Sequence, residues 1–280
     1  MFRFFVAPEQ IAVDHITVTG DDVNHMKNVL RMKPGERVRI SNGTDEDYFC
    51  TIESLEEEAV LLHVDSREQS SIELPVQIYL FQGLPKSDKM ELIIQKAVEL
   101  GAYGIVSVSM KRSVVKLDSK KAAAKVKRWN AIAESAAKQS GRMVIPQVLM
   151  PVTFAQAVEQ ASDMDCKLLP YENEEGMDGV RRILGELAEQ VKKRSGERQR
   201  SREQQCSPKQ QAASSESGVL SAEKPFRIGI LIGPEGGFEP AEVELAVKDG
   251  WQRISLGRRI LRTETAGMAL LSVLVYLLEP

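Results

Sequence analysis

The chain reads as an α/β protein: a mostly parallel sheet with its helices, preceded by a small, partly open β-barrel. Three observations predict this. Over residues 1–72, short runs of strand-like composition are separated by turn signals, the rhythm of a small barrel. From Leu74 onward, strand patterns alternate with helical ones, the signature of a parallel sheet. Two later loops, each between an apolar strand and a helix, are too polar and glycine-rich for plain connections. They are Leu231-Ile232-Gly233-Pro234-Glu235-Gly236-Gly237-Phe238 and Leu256-Gly257-Arg258-Arg259-Ile260-Leu261-Arg262-Thr263-Glu264-Thr265-Ala266. With 280 residues, 42% of them hydrophobic, two domains with a sizeable core are possible. The boundary is placed between residues 1–72 and 73–280.

Taken in order, residues 4–6, 15–19, 37–40, 48–52 and 60–64 are the expected barrel strands, with turns at Pro34-Gly35 and Asn42-Gly43. A helix over residues 21–32 interrupts them, with Asp21 or Asp22 at its cap. Residues 76–82 form a strand. Residues 87–100 form a helix, with Asp88 and Glu91 in capping-box-like positions and Gly101 as its stop. A strand over 103–110 precedes a long helix over 119–140, whose apolar face carries Ala122, Val126, Trp129, Ala133 and Ala136. Short strands follow at 166–169, 226–232 and 253–256, then an apolar helix at 267–278. Residues 192–224 hold hardly an apolar side chain and are expected to be a flexible, low-complexity insertion.

Net charge is −3, yet its distribution is uneven. Residues 1–72 carry seven Lys/Arg against fourteen Asp/Glu, whereas residues 111–128 carry eight Lys/Arg against Asp118 alone. A nucleic acid would therefore meet local patches, and the lysines of 111–128 also fit a solvated helix face. Cys50, Cys166 and Cys206 are far apart, and so are His15, His25 and His63, so no spacing predicts a metal site. Few cysteines and no signal peptide point to the cytosol, and the most apolar stretch, 266–278, is too short to span a membrane.

The first loop lacks the Lys-Ser/Thr of a phosphate-binding P-loop and the spacing of a dinucleotide fingerprint. Its glycines still permit close backbone approach to a ligand. Together the two loops read as two walls of one site. Leu231-Ile232-Gly233-Pro234-Glu235-Gly236-Gly237 followed by Leu256-Gly257-x-x-Ile260-Leu261-Arg262-x-Glu264-Thr265-Ala266 resembles the trefoil-knotted SPOUT RNA methyltransferases, and more narrowly the ribosomal RNA small subunit methyltransferase E (RsmE) family. The stretch from Lys89 to Gly101, Arg112-Ser113-Val114-Val115-Lys116 and Gln139-Ser140-Gly141-Arg142 agree with it. His25-x-x-x-Val29-Leu30-Arg31-x-x-x-Gly35 fits the family's PUA-like RNA-binding domain.

The resemblance implies a homodimeric, cytoplasmic enzyme with a knotted methyltransferase domain. It would move a methyl group from S-adenosylmethionine to N3 of a uridine, uridine 1498 of 16S rRNA, on the assembled small ribosomal subunit. From the residue spacings and apolar stretches above, neither a metal nor a membrane partner is expected. The donor would be held through backbone groups of Leu231, Gly233, Gly237, Leu256, Ile260 and Leu261, beside Pro234 and Gly257, with Leu169 on a third wall and a hydrogen bond from Thr265. Uracil N3 must lose a proton, so an arginine facing the developing charge and a carboxylate near the proton suit the chemistry. Arg262 and Glu264 are the candidates, then Arg112; Glu264 paired with Arg262 or Arg259 is the structural alternative. Arg3, Arg31, Arg112 and Arg142 are assigned to RNA. Methylation of another rRNA or tRNA position, or a non-catalytic RNA-binding assembly factor, are the alternatives.

Overall fold

The computed structural model describes residues 1–43, 46–68, 72–174, 176–205 and 224–279, with 197–205 as backbone alone. The chain divides into two compact units, residues 1–73 with 128–147, and residues 74–127 with 148–280.

In the first unit, β1 (Phe2–Phe5), β2 (His15–Thr19), β3 (Arg37–Ser41), β4 (Asp47–Leu55) and β5 (Ala59–Glu68) form one curled sheet in the order β1-β3-β4-β5-β2. Its two ends are not paired with each other, so the barrel is partly open. β1 runs parallel to β3 and the other pairs are antiparallel. Alternating inward residues (Phe4, Ile16, Val18, Val38, Ile40, Ile52, Val60, Leu62) build its core. The helix expected over 21–32 is shorter: α1 (Asp21–Asn24) continues as a wide π-type turn, His25–Val29, and Arg31 adopts φ 54°, a left-handed conformation that ends it.

Two arginines expected on RNA are instead built into this unit. Arg3 is 7% exposed, pairs with Asp47 at 2.6 Å and donates to the carbonyl oxygens of Gly141 and Arg142. Arg39 reaches the same carboxylate. Burial holds the Asp47 carboxyl above the usual carboxylate range, against the pull of both arginines. Arg142 is 5% exposed, and its Nε donates to both oxygens of Glu73 at 2.9 and 2.8 Å. Guanidinium groups committed in this way are withdrawn from phosphate contact. Arg31 remains exposed.

The second unit holds a six-stranded sheet, β11-β9-β10-β6-β7-β8. Its elements are β6 (Val76–Gly83), α2 (Lys89–Glu99), β7 (Gly104–Ser109), α3 (Ser119–Ser140, of which residues 119–127 belong here), β8 (Gln147–Thr153), α4 (Phe154–Gln160), β9 (Cys166–Pro170), α5 (Asp178–Gln205), β10 (Phe226–Ile232), α6 (Pro240–Lys248), β11 (Gln252–Ile254) and α7 (Thr263–Leu278). The pairs β6–β7, β6–β10, β9–β10 and β9–β11 are parallel, and the central strands are apolar on both faces, as a covered parallel sheet requires.

β8 and α4 were not predicted. The latter is opened by Thr153, whose hydroxyl accepts from the Gln156 amide while Gln156 answers with the reverse bond. At α2 the expected cap fails: Ser87 sits at φ 56° and Asp88 makes no side-chain cap bond, so the helix begins at Lys89. Helix α5 carries residues 192–205 of the expected flexible insertion, and residues 206–223 lie outside the described residues. Helix α7 starts at Thr263 rather than 267, because the Arg262 carbonyl accepts from the amides of Thr265 and Ala266, each at 2.9 Å. Glu264 and Thr265 therefore lie in a helical first turn.

Candidate functional site

At the carboxyl ends of β9, β10 and β11 three connections enclose a cavity of about 460 Å³, within the range of small-molecule sites. This is where an open parallel sheet places its ligands. One wall is the β10–α6 loop with Gly233, Pro234, Glu235, Gly237 and Phe238. The second is the β11–α7 loop, from Ser255 through Leu256, Gly257, Arg258, Arg259, Ile260 and Leu261 to Arg262. The third, Pro170, Tyr171 and Glu172, leaves the end of β9. Gly257 has φ 103°, a conformation closed to most side chains, and lets the second wall turn sharply after β11.

Of the residues expected at the donor, Gly233, Pro234, Gly237, Leu256, Gly257, Ile260 and Leu261 line this cavity. Leu169 and Leu231 do not. Both are fully buried in the core with Phe81, Val106 and Trp251, and their chain neighbours Pro170 and Ile232 line the cavity instead. Side chains alternate across a strand, so these two leucines point into the core and have only backbone groups to offer a ligand. Thr265 is exposed and off the cavity, while Thr263, two residues earlier, lines it.

The polar groups are arranged unevenly. Arg258, Arg259 and Arg262 are exposed and line the cavity, and Ile260 is 82% exposed among them. Lys89, from the start of α2, also lines the cavity and places its ammonium 3.1 Å from Glu235 and 3.2 Å from Glu264. Hydrogen bonds to Glu235 and Glu264 raise this ammonium above the ordinary lysine range. Burial would raise the Glu235 carboxyl, yet its own amide, Lys89 and the amide of Lys86 together hold it below the usual carboxylate value. Glu264 thus pairs with Lys89, not with Arg259 or Arg262, and it does not line the cavity.

Arg112 also stands back from the cavity. Its Nε donates to Glu239 at 3.0 Å and its Nη1 to the Gly236 carbonyl at 3.3 Å, bracing the β10–α6 loop from behind. Sequence reasoning missed Lys89, Tyr171, Glu172 and Thr263 as site residues. Only Thr263 carried a local signal, a hydroxyl inside an already suspect loop. Burial pushes the thiols of Cys50 and Cys166 up to about 12 and about 11, so neither is poised as a nucleophile.

A family described as an RNA methyltransferase domain matches residues 72–195 and 197–275, and one described as an RNA methyltransferase PUA domain matches residues 18–65. The ribosomal RNA small subunit methyltransferase E of Bacillus subtilis (strain 168) is 33% identical over 283 residues, covering 100% of this chain and 98% of that protein. The protein of the same name from Synechocystis is 29% identical over 278 residues, covering 99% and 78%. Among solved structures, a ribosomal RNA small subunit methyltransferase E from Neisseria gonorrhoeae bound to S-adenosyl methionine superposes with a TM-score of 0.74 at 27% identity, covering 99% of this chain and 98% of the other. A putative methyltransferase from Legionella pneumophila, in complex with the bound cofactor SAM, gives 0.72 at 28%, covering 98% and 97%. Coverage of both units, with the three-walled cavity at the strand ends, places this chain in the ribosomal RNA small subunit methyltransferase E family.

Proposed function

We propose that the chain methylates N3 of a uridine in 16S rRNA, uridine 1498, with S-adenosylmethionine as donor, on the assembled small ribosomal subunit. The observation that carries this reading is the cavity itself: closed on three sides by loops of the methyltransferase unit and edged by three exposed arginines. Two relatives of similar fold were crystallised with the same donor. On this reading the glycine-rich loops hold the donor, and Glu172 offers an acceptor for its hydroxyls. The uracil N3 proton passes to solvent or to a carboxylate as the ring nitrogen attacks the sulfonium methyl. The C–S bond breaks as N–CH3 forms, and the neutral thioether departs.

Such a displacement requires mainly that donor and acceptor be held in line. Arg262 faces the negative charge that spreads onto the uracil oxygens. Glu264, tied to Lys89, acts on the shape of the site rather than on the reacting atoms. Arg31, Arg258 and Arg259 meet phosphates, and Arg112 positions the first loop. The chain acts as a homodimer in the cytoplasm, with the loops around the site threaded as a knot. No described helix is long and apolar enough to cross a membrane.

The test is methyl transfer from labelled S-adenosylmethionine to small subunits lacking this modification, beside naked 16S rRNA, with the product mapped by nucleoside mass spectrometry. 3-Methyluridine at one position on subunits, and little on naked RNA, is the expected result. Donor and RNA binding without transfer would replace the proposal with a non-catalytic assembly role.

A further inference from the structure

We propose that His15, Glu53 and His63, on an exposed face of the first unit, form a binding site for one borderline transition-metal cation of the Zn²⁺ or Ni²⁺ kind. The three are 48 residues apart at their extremes in sequence and meet only because of strand register. His15 pairs directly with His63 across β2 and β5, and the two rings meet edge to face with centroids 5.6 Å apart. Glu53 lies on β4 at a register irregularity between Ile52 and Ser54, a bulge, which aims its side chain toward the pair. Its Oε1 is 3.4 Å from His15 Nε2 and 3.8 Å from His63 Nδ1. One ligand atom from each residue lies within 4.8 Å of the others.

Metal–nitrogen and metal–oxygen bonds of about 2.1 Å in a tetrahedron put neighbouring ligand atoms about 3.4 Å apart. One edge of that figure is already present, and small rotations of half-exposed side chains supply the other two. Two imidazoles and a carboxylate favour zinc, nickel or copper over magnesium or calcium, with water at the remaining position. The cation would tie β2, an end strand of the sheet, to β4 and β5. A bare histidine–glutamate charge pair is the competing account, and at this exposure it contributes little.

The test is calorimetric titration of the tag-free full chain with zinc chloride and nickel chloride at neutral pH, with thermal melts run with and without metal. One saturable equivalent and a melting point raised by metal are expected, since binding to the native state alone stabilises it. His15→Gln, His63→Gln and Glu53→Gln should each weaken binding about tenfold or more, since losing even a residue that only supports a metal ligand costs about that much. They should leave the metal-free melt unchanged, and His25→Gln should bind as wild type. Absence of saturable binding, or binding that survives in the His15→Gln/His63→Gln double variant, overturns the site.

Discussion

The hydroxyl of Thr263 donates to the carbonyl of Gly233 at 2.6 Å, joining the first residue of α7 to the loop that opens the cavity. The same oxygen accepts from Nε2 of the fully buried Gln82 at 2.8 Å. Two site walls and a central strand thus share one hydroxyl. Thr263→Val would leave a carbonyl and a buried amide hydrogen unpaired, at a cost of about 1–3 kcal/mol. A lower melting point and weaker S-adenosylmethionine binding are expected, and Thr263→Ser should restore both. Unchanged values in Thr263→Val would show the relay to be dispensable.

Arg262 separates chemistry from folding. No described residue accepts from its guanidinium, and it lies at the cap of α7 with its carbonyl, not its side chain, holding the helix. Arg262→Ala should melt as wild type while losing methyl transfer by about 100-fold or more, the usual effect of removing a donor aimed at developing charge. Wild-type turnover in this variant would remove Arg262 from the mechanism.

Lys89 predicts the opposite split from a core residue. Its ammonium is partly exposed and serves two carboxylates, Glu235 in the first wall and Glu264 in the first turn of α7, so Lys89→Met should leave the melting point nearly unchanged. Without the cation, Glu235 and Glu264 repel and the first wall loses its tie to the start of α7, so donor affinity should fall. Equilibrium dialysis with labelled donor would measure this. An affinity equal to wild type would reduce the bridge to a surface ion pair.

The depressed Glu235 carboxyl links stability to pH. Its folded value lies below the ordinary 4.5, so its contribution is present above that value and is lost as pH falls through the lower folded value. Urea unfolding at stepped pH should show wild type losing more stability below pH 4.5 than Glu235→Gln. Parallel curves for the two proteins would assign the acid sensitivity to other carboxylates.

Gly83 ends β6 against the first loop, and a Cβ there would stand 2.7 Å from the Pro234 nitrogen and 2.8 Å from its Cδ. Backbone and a proline ring cannot swing aside as a flexible side chain would. Gly83→Ala should cost about 1–3 kcal/mol and displace the loop from the donor, read as a lower melting point with a raised Kd. Wild-type values for both would mean the loop relaxes freely.

The sequence alone determined the alternation of strands and helices, because periodicity and turn chemistry act over a few residues. It also marked the two loops, since Gly233, Gly237, Gly257 and Arg262 are conspicuous beside apolar strands. The neighbours of those residues were decided only by the tertiary structure. Sheet order carries Lys89 to Glu264, 175 residues away, and brings Pro170–Glu172 in as a third wall. Strand parity sends Leu169 and Leu231 into the core and leaves Pro170 and Ile232 at the cavity. Register joins His15 to His63, and burial turns Arg3 and Arg142 from expected RNA contacts into internal ion pairs. Local pattern specifies which elements form. Which distant side chains meet depends on how those elements pair and pack, and that is carried by the folded chain as a whole.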